Sequence, residues 1–572
     1  MILRNVTIKR PERTKIQRGP NGQPYVLLLT GEKHYNKASR SYTEVRKNIG
    51  VMVDENYQET NNQLMYPNER FCDYFPEMAA DISNQSNQSD SSSLSPSIKI
   101  GFDLIADKIL EESGLGRIIR TVYGSKADLL INVVKYIVVH ETVVFQHYPT
   151  LMYNYPLLGG KAVSDSYISM FNNSQETYEM TLKFYAEWNL IRSKEDIIWF
   201  SYDATNMNNQ SHNLSYSEYG YPKIDVGTPQ INLSVAMNLK ERIPLFPELY
   251  SGSIPDVAQF RYMIDKAEDY GYSQFGILCD RGYFSKENVL YCDKHHLEFM
   301  FMLKGNLSVS RSAVTQAAEK METEMEAYLI EEHQVFGMTL TGPAFEGDHK
   351  TRYFHVYYDG ERNAAERLKI AGSVRDQEQQ LTRMLQGNHQ YTAGDLKAYQ
   401  HRFHLSYDND GNFCGFEKNA AAIQKEMKES GYYCILTSVE MSAQEALSIY
   451  KDRDVSEKLF QVMKQELGYQ AVYVSSDISL HNKTLMVFIA TLLRMYIYKG
   501  LAELRKSNRK DNTVNAVINY MQTLEIMKNQ SGVYTLSQPL TKRHKEILQQ
   551  FGISDSDFSA AVHALNIRLN SV

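Results

Sequence analysis

The chain has 572 residues, 43% hydrophobic and 23% charged, with 31 Gly and 15 Pro; this is the make-up of a globular protein, and the length predicts about three to five domains. Sixty-one Lys and Arg against 68 Asp and Glu leave a formal charge of −7, which argues against a protein that coats nucleic acid through bulk positive charge and leaves room only for local basic patches. The five scattered cysteines, Cys72, Cys279, Cys292, Cys414 and Cys434, argue against a disulfide framework and for reduced thiols in a reducing cytoplasm.

In chain order, Met1–Lys15 is basic but has no apolar run behind it, so no secretory signal is expected. Residues 1–80 carry β-type runs at Tyr25–Thr30 and Tyr42–Val53 and predict a small strand-rich module. Residues 81–98, almost wholly Ser, Asn, Gln and Asp, predict a flexible linker. From residue 99 to 195 the apolar residues recur at helical spacing and predict a helical domain. Within it, Ser164–Trp188 reads as two helices joined by Asn172-Asn173-Ser174, compatible equally with a helix-turn-helix DNA reader and with two ordinary core helices. Two apolar stretches, Leu129–Phe145 and Leu485–Tyr498, are interrupted by Lys135, Glu141 and Arg494 and fall short of a bilayer span, so they predict buried helices and no membrane partner.

The pattern then turns to alternating strands and helices. Ile197–Tyr202, Gln230–Met237, Phe275–Cys279, Leu297–Leu303 and Tyr432–Leu436 are predicted strands, and Pro255–Tyr270 is a predicted helix, which together define an α/β domain. Residues 196–306 and 432–480 are expected to form its two parts, split by an insertion at 307–431 with strand candidates at Thr339–Leu340, Arg352–Tyr358 and Arg402–Tyr407. Residues 481–572 return to helix and are a candidate dimerisation region.

Asp203 and Asp280 each follow an apolar strand, where a carboxylate held on rigid backbone at a sheet rim can reach a metal ion, although such aspartates are also common as turn formers. Tyr450, Arg453, Glu457 and Lys464 then fall three, four and seven residues apart, which on a continuous helix confines them to an arc of about 60°. Leu447, Val455, Leu459 and Val462 take the other side, so the helix is expected to pack while displaying a polar stripe; a solvated face with Arg453–Glu457 pairing is the plainer alternative.

Together, the Asp203 strand, the Asp280-Arg-Gly-Tyr strand and the Tyr450, Arg453, Glu457, Lys464 run resemble Asp-Asp-Glu insertion-sequence transposases of the YREK-signature group. The resemblance covers about Ile197 to Leu480. It implies an RNase H-like catalytic domain split by the β-rich insertion; the N-terminal strand-rich module and the helical domains read from patterning flank it, with residues 99–195 as the candidate DNA-end-binding domain. It also implies that Asp203, Asp280 and Glu457 are catalytic and hold two Mg²⁺ ions, with Mn²⁺ as a substitute, while Tyr450, Arg453 and Lys464 contact DNA phosphates. Hard oxygen ligands suit Mg²⁺, and a metal pair can drive in-line phosphoryl displacement. The implied partners are double-stranded DNA, as inverted-repeat ends and target, and a second copy of the chain in a synaptic homodimer; the implied setting is the bacterial cytoplasm, with association with the nucleoid when bound to DNA. Rival expectations are an RNase H-like nuclease without strand transfer and a domesticated, non-catalytic DNA binder.

The resemblance has one departure. Some of these enzymes form hairpin ends by flipping a base onto a Trp of the insertion, whereas the tryptophans here, Trp188 and Trp199, both precede it; Tyr353, Phe354, Tyr357 and Tyr358 offer an alternative cluster. Basic residues cluster at Arg4–Arg18 and Arg494–Lys510 and fit a DNA partner or a solvated face. Cys279, Cys292, His295 and His296 match no usual zinc spacing, and the absence of a complete phosphate-binding loop implies no nucleotide cofactor.

Overall fold

The computed structural model describes residues 2, 7–19, 23–36, 41–53, 64–68, 70–75, 78, 97–160, 162–193, 198–209, 211, 213–220, 227–387 and 389–570. Most of the expected linker, residues 81–96, lies outside them. The chain divides into two compact units, residues 1–98 with 526–535 and residues 99–525 with 536–572.

The smaller unit holds an antiparallel sheet of β1 (Ile8–Lys9), β2 (Thr14–Arg18), β3 (Pro24–Asn36), β4 (Ser41–Met52) and β5 (Leu64–Pro67), in the order β1-β5-β4-β3-β2. Val26, Ile49 and Met65 are fully buried there with Phe71 of helix α1 (Phe71–Tyr74). Strand β6 (Ser97–Lys99) joins a three-stranded sheet with Glu525–Lys528 and Tyr534–Leu536, a pairing that sequence patterning did not suggest.

The larger unit begins with helices α2 (Gly101–Glu112), α3 (Leu115–Tyr123), α4 (Ala127–His140), α5 (Tyr148–Met152), α6 (Asp165–Asn172) and α7 (Gln175–Arg192). Ser164 and Ser174 cap α6 and α7 by accepting the N–H of Tyr167 and Thr177. On α7, Phe184 and Trp188 are fully buried and Trp188 Nε1 donates to Pro244 O at 3.1 Å, while Met170 of α6 and Leu182 and Leu190 of α7 are exposed.

A mixed α/β region follows: β7 (Ile198–Asn208), β8 (Gln230–Asn238), β9 (Ile243–Ser251), α8 (Asp256–Asp269), β10 (Phe275–Cys279), α9 (Lys286–Lys294), β11 (Glu298–Met302) and α10 (Ser308–Met321). Next come β12 (Leu329–Ile330), β13 (Val335–Gly342), β14 (Arg352–Tyr358), α11 (Gly360–Gln386), β15 (Phe403–Tyr407), β16 (Phe413–Lys418), α12 (Ala420–Glu429) and β17 (Tyr432–Thr437). Helices α13 (Ala443–Lys451), α14 (Asp454–Gln461) and α15 (Asp477–Gly500) complete the part that bears on the site. Nine strands form one sheet in the order β12-β13-β14-β17-β11-β10-β7-β8-β9; β7, β10 and β11 run parallel, and the other neighbours pair antiparallel.

Three differences from expectation have physical causes. Strand β9 escapes sequence patterning because Pro244 and Pro247 interrupt it, but it lies at the sheet edge, where a missing N–H removes no ladder bond from a second neighbour. The stretch 307–431 is not simply β-rich: it carries α10, α11 and α12, its strands β13 and β14 extend the main sheet through β17, and only β15–β16 stand apart as a hairpin. The expected helix through Tyr450 and Lys464 is interrupted, since Arg453, Val455 and Ser456 donate to carbonyls three residues back and a π-helical turn occupies Val462–Glu466. No helix among the described residues is long and apolar enough to cross a membrane; the expected buried helices are α4 and α15.

Candidate active site

Asp203 sits within β7 rather than after it, because that strand continues to Asn208. Asp280 follows β10 as expected, and the parallel register pairs Tyr202 with Cys279, so the two aspartates stand level one residue further along neighbouring strands. Tyr202 and Cys279 enter the apolar core on one face of the sheet. Strand alternation therefore turns Ser201 and Asp203 to the other face.

On that face Ser201 Oγ and Ser456 Oγ lie 2.7 Å apart, both fully buried, and fix α14 against β7. Val455 and Leu459 are buried on the same helix, which leaves Glu457, the neighbour of Ser456, exposed beside the aspartates' face. The two serines escaped sequence reading, since a lone hydroxyl in a strand or helix gives no signal until the partner is known.

Arg453 links the acids. Its Nη2 donates to Glu457 Oε1 at 2.7 Å, and its Nη1 lies 3.5 Å from Asp280 Oδ2. Burial works against this charge, but the Tyr450 phenol together with Asp280, Asp203 and Glu457 outweighs it and holds the guanidinium above its ordinary pKa. Tyr450 directs its hydroxyl to Asp280 Oδ1 at 3.4 Å, and the Arg453 guanidinium carbon lies 5.6 Å from its ring centroid. Burial raises the Tyr450 phenol well above its ordinary range, with Arg453 opposing. The helix break thus keeps Tyr450, Arg453 and Glu457 in contact but directs Lys464 elsewhere: its Nζ donates to Asn206 O on β7 at 2.5 Å.

Asp280 and Glu457 share the Arg453 guanidinium and Asp203 lies level with Asp280 on the next strand; their carboxylates are hard oxygen donors of the kind that hold a divalent ion. Among the described residues, the group with three ligand atoms within 4.8 Å of one another is a different one, Asp265, Glu268 and His295. That group is internally paired, His295 Nδ1 to Glu268 at 2.7 Å and the Tyr291 hydroxyl to Asp265, with Arg261 and Lys294 near the Tyr291 ring. Neither Cys279 nor Cys292 belongs to it; both are free and buried.

Two other sequence candidates lose their surface roles. Arg494 is 1% exposed and bonded to Glu466 at 2.6 Å, which makes it a core ion pair rather than part of a basic surface. In the aromatic cluster, Phe354 and Tyr357 are buried in the sheet, and the Tyr357 hydroxyl donates to Ala443 O at 2.7 Å. Of the N-terminal basic cluster, Arg4 lies outside the described residues.

Residues 196–493 match the family model described as "Transposase DDE domain". The match covers more than half of the chain, and the chain belongs to that family. No curated protein matches it. Two of the similar solved structures are transposase–DNA complexes. One is the cryo-EM structure of a piggyBac transposase synaptic complex with hairpin DNA, at 8% identity over 71% of this chain and 63% of that one, with a TM-score of 0.28. The other is the Mos1 transposase paired-end complex with the left transposon end, at 14% identity over 22% of this chain and 42% of that one, with a TM-score of 0.14. The chain thus spans less than two thirds of either, and such low scores carry no argument about its geometry.

Proposed function

We propose that the chain is a metal-dependent DNA transposase that binds the terminal inverted repeats of its own insertion sequence, cleaves the ends and transfers 3′ ends to target DNA. The observation that carries this reading is that Arg453 pairs with both Asp280 and Glu457 while Asp203 stands level with Asp280 on the neighbouring parallel strand. The run β9-β8-β7-β10-β11, an antiparallel meander followed by two parallel strands reached through helices, supports an RNase H-like core. The spacing of Tyr450, Arg453, Glu457 and Lys464 supports the YREK-signature group.

Asp203, Asp280 and Glu457 would hold two Mg²⁺ ions, or Mn²⁺ in their place. When bound, such a pair supplies charge stabilisation and in-line geometry for phosphoryl displacement. The chain itself contributes carboxylates on rigid strands, a helix pinned by Ser201 and Ser456, and an Arg453 fork that can leave Glu457 for a DNA phosphate. Tyr450 adds a phenol donor beside it, and Lys464, held on Asn206 O, adds a point charge further along β7. Two ends must be synapsed, so the working form is a homodimer, with 481–572 as its candidate interface, in the bacterial cytoplasm and at the nucleoid when bound to DNA.

The test incubates purified protein with labelled DNA carrying both borders of its native gene, in Mg²⁺ or EDTA, beside Glu457→Gln. Border cleavage and joining that require both metal and Glu457 are expected. Binding without cleavage under any metal would leave only a DNA binder, and cleavage without joining would leave a nuclease.

A further inference from the structure

The two aspartates are held by different means. Asp203 lies inside β7, opposite Val235 of β8, so the sheet ladder fixes its backbone. Asp280 stands one residue beyond the end of β10 at Cys279, and the turn that follows shares in placing it. That turn is closed by the Tyr283 N–H, which donates to Asp280 O at 3.0 Å across four residues. Within it, the Arg281 N–H donates to Asp280 Oδ1 at 2.7 Å, which leaves the orientation of the carboxylate tied to the path of the turn.

The far end of the turn is anchored behind the sheet, on the apolar face. Tyr283 is 2% exposed, and its ring meets that of Tyr202 edge-on, with centroids 5.4 Å apart. Its carbonyl accepts from Asn288 Nδ2 at 2.9 Å, and the same nitrogen donates to Val257 O of α8 at 3.0 Å. Both amide protons of Asn288 are therefore committed to main-chain carbonyls of two different segments. Asn288 is 1% exposed on α9, and a buried amide is costly unless its donors are met. The helix does not need this amide for its own start, because Ser285 caps it by accepting the Asn288 N–H at 3.1 Å.

We propose that Asn288 is a positioning residue for Asp280: from the opposite face of the sheet it staples the Asp280–Tyr283 turn to α8 and so sets where that carboxylate stands relative to Asp203. The inference rests on the reading of Asp280 as a metal ligand and adds to it the group that holds the ligand in place. The sheet performs this task for Asp203, whereas Asp280, past the end of its strand, takes it from a side chain. A ligand whose support is loosened binds its ion less tightly even when the ligand itself is intact.

The test titrates the full-length protein with Mn²⁺ in a calorimeter. Asn288→Ala and Asn288→Ser are expected to weaken binding about ten-fold, and to slow border cleavage more in Mg²⁺ than in Mn²⁺, since Mg²⁺ demands near-octahedral geometry. The control is Asn189→Ala, which removes an equally buried amide whose Nδ2 bridges Tyr185 O and Leu245 O at 2.8 and 3.0 Å. It is expected to lower the thermal midpoint comparably and to leave Mn²⁺ affinity unchanged. A second measurement needs no variant: coupling is reciprocal, so saturating Mn²⁺ should slow amide exchange in peptides spanning 280–288 of the wild type several-fold. Unchanged Mn²⁺ affinity in the Asn288 variants, an equal loss with Asn189→Ala, or exchange in the turn that ignores Mn²⁺ overturns the positioning role and leaves Asn288 a structural clamp. Wild-type Mn²⁺ binding that survives Asp280→Asn overturns the metal-ligand reading itself, and the inference with it.

Discussion

The middle and the end of β7 present two opposite polar environments. At Asp203 the surroundings are ionic: three carboxylates and the Arg453 guanidinium share one neighbourhood, with Glu457 at 61% side-chain exposure. At Asn208 they are neutral, amides and hydroxyls around an Asn172 that is 7% exposed. Charge can be concentrated in the first place because solvent and a salt partner are close; in the second, burial would make any unpaired charge costly, so dipoles take its place. The contrast teaches that one strand can carry an ionic cluster and a neutral polar cavity at once, provided the two differ in solvation.

The largest effect should come from the ionic end. Asp203→Asn or Glu457→Gln is expected to slow single-turnover cleavage by at least about 10³-fold, or about 4 kcal/mol of barrier, with end binding retained in a gel-shift assay. Cleavage within about three-fold of wild type for both variants would remove these acids from the chemistry.

Next is the lysine under the neutral end. Burial lowers the Lys483 pKa to about 8, below its unfolded value, so the unfolded chain binds more protons between those two values and stability rises with pH across that window. The cost of burying the charged amine is present in full below about pH 8 and amounts to up to about 3 kcal/mol. Urea unfolding between pH 7.5 and 10 should show a steeper gain for wild type than for Lys483→Met; parallel curves would mean that the amine is not desolvated.

Smaller still is the clamp between β7 and α14. Ser456→Ala should cost about 1–2 kcal/mol by leaving Ser201 unpaired in the core. It should lower cleavage more than it lowers DNA affinity, since Glu457 is the next residue. An unchanged cleavage rate with the stability loss present would make the serine pair purely structural.

The smallest expected effect concerns Arg453, because its partners are partly solvated. Arg453→Gln should destabilise the protein by about 0.5–1 kcal/mol in EDTA, tighten Mn²⁺ binding several-fold in calorimetry, and show no stability deficit once metal is saturating. Weaker metal binding by the variant would contradict a counter-ion role for Arg453.

Much of the sheet was legible because its central strands are buried on both sides: β10 and β17 are continuous apolar runs, and the predicted bounds agree with them to within a residue. Asp280 was found at its observed position for that reason. Asp203 was recognised as a residue but misplaced on its strand, because β7 continues through Ala204-Thr205-Asn206-Met207, where the apolar run gives way to adjacent polar residues and the strand end is not marked. The helix stripe was read on an ideal 100° rotation; the tight turn at 450–456 and the π-helical turn at 462–466 change that rotation and send Lys464 to Asn206.

From composition, periodicity and motif spacing alone, the sequence determined the alternation of strands and helices, the buried character of α4 and α15, and the residue types of the candidate acid set. These are local properties, set by side-chain period and chemistry within a few turns of chain. Tertiary structure alone decided that Asp203 and Asp280 stand level, that Ser201 meets Ser456 across 255 positions, that Arg494 is a core ion pair, and that Asn172, Asn208 and Tyr473 line one cavity. Each of these depends on strand register or on contacts between segments far apart in sequence, and a one-residue slip of register would turn every such side chain to the other face.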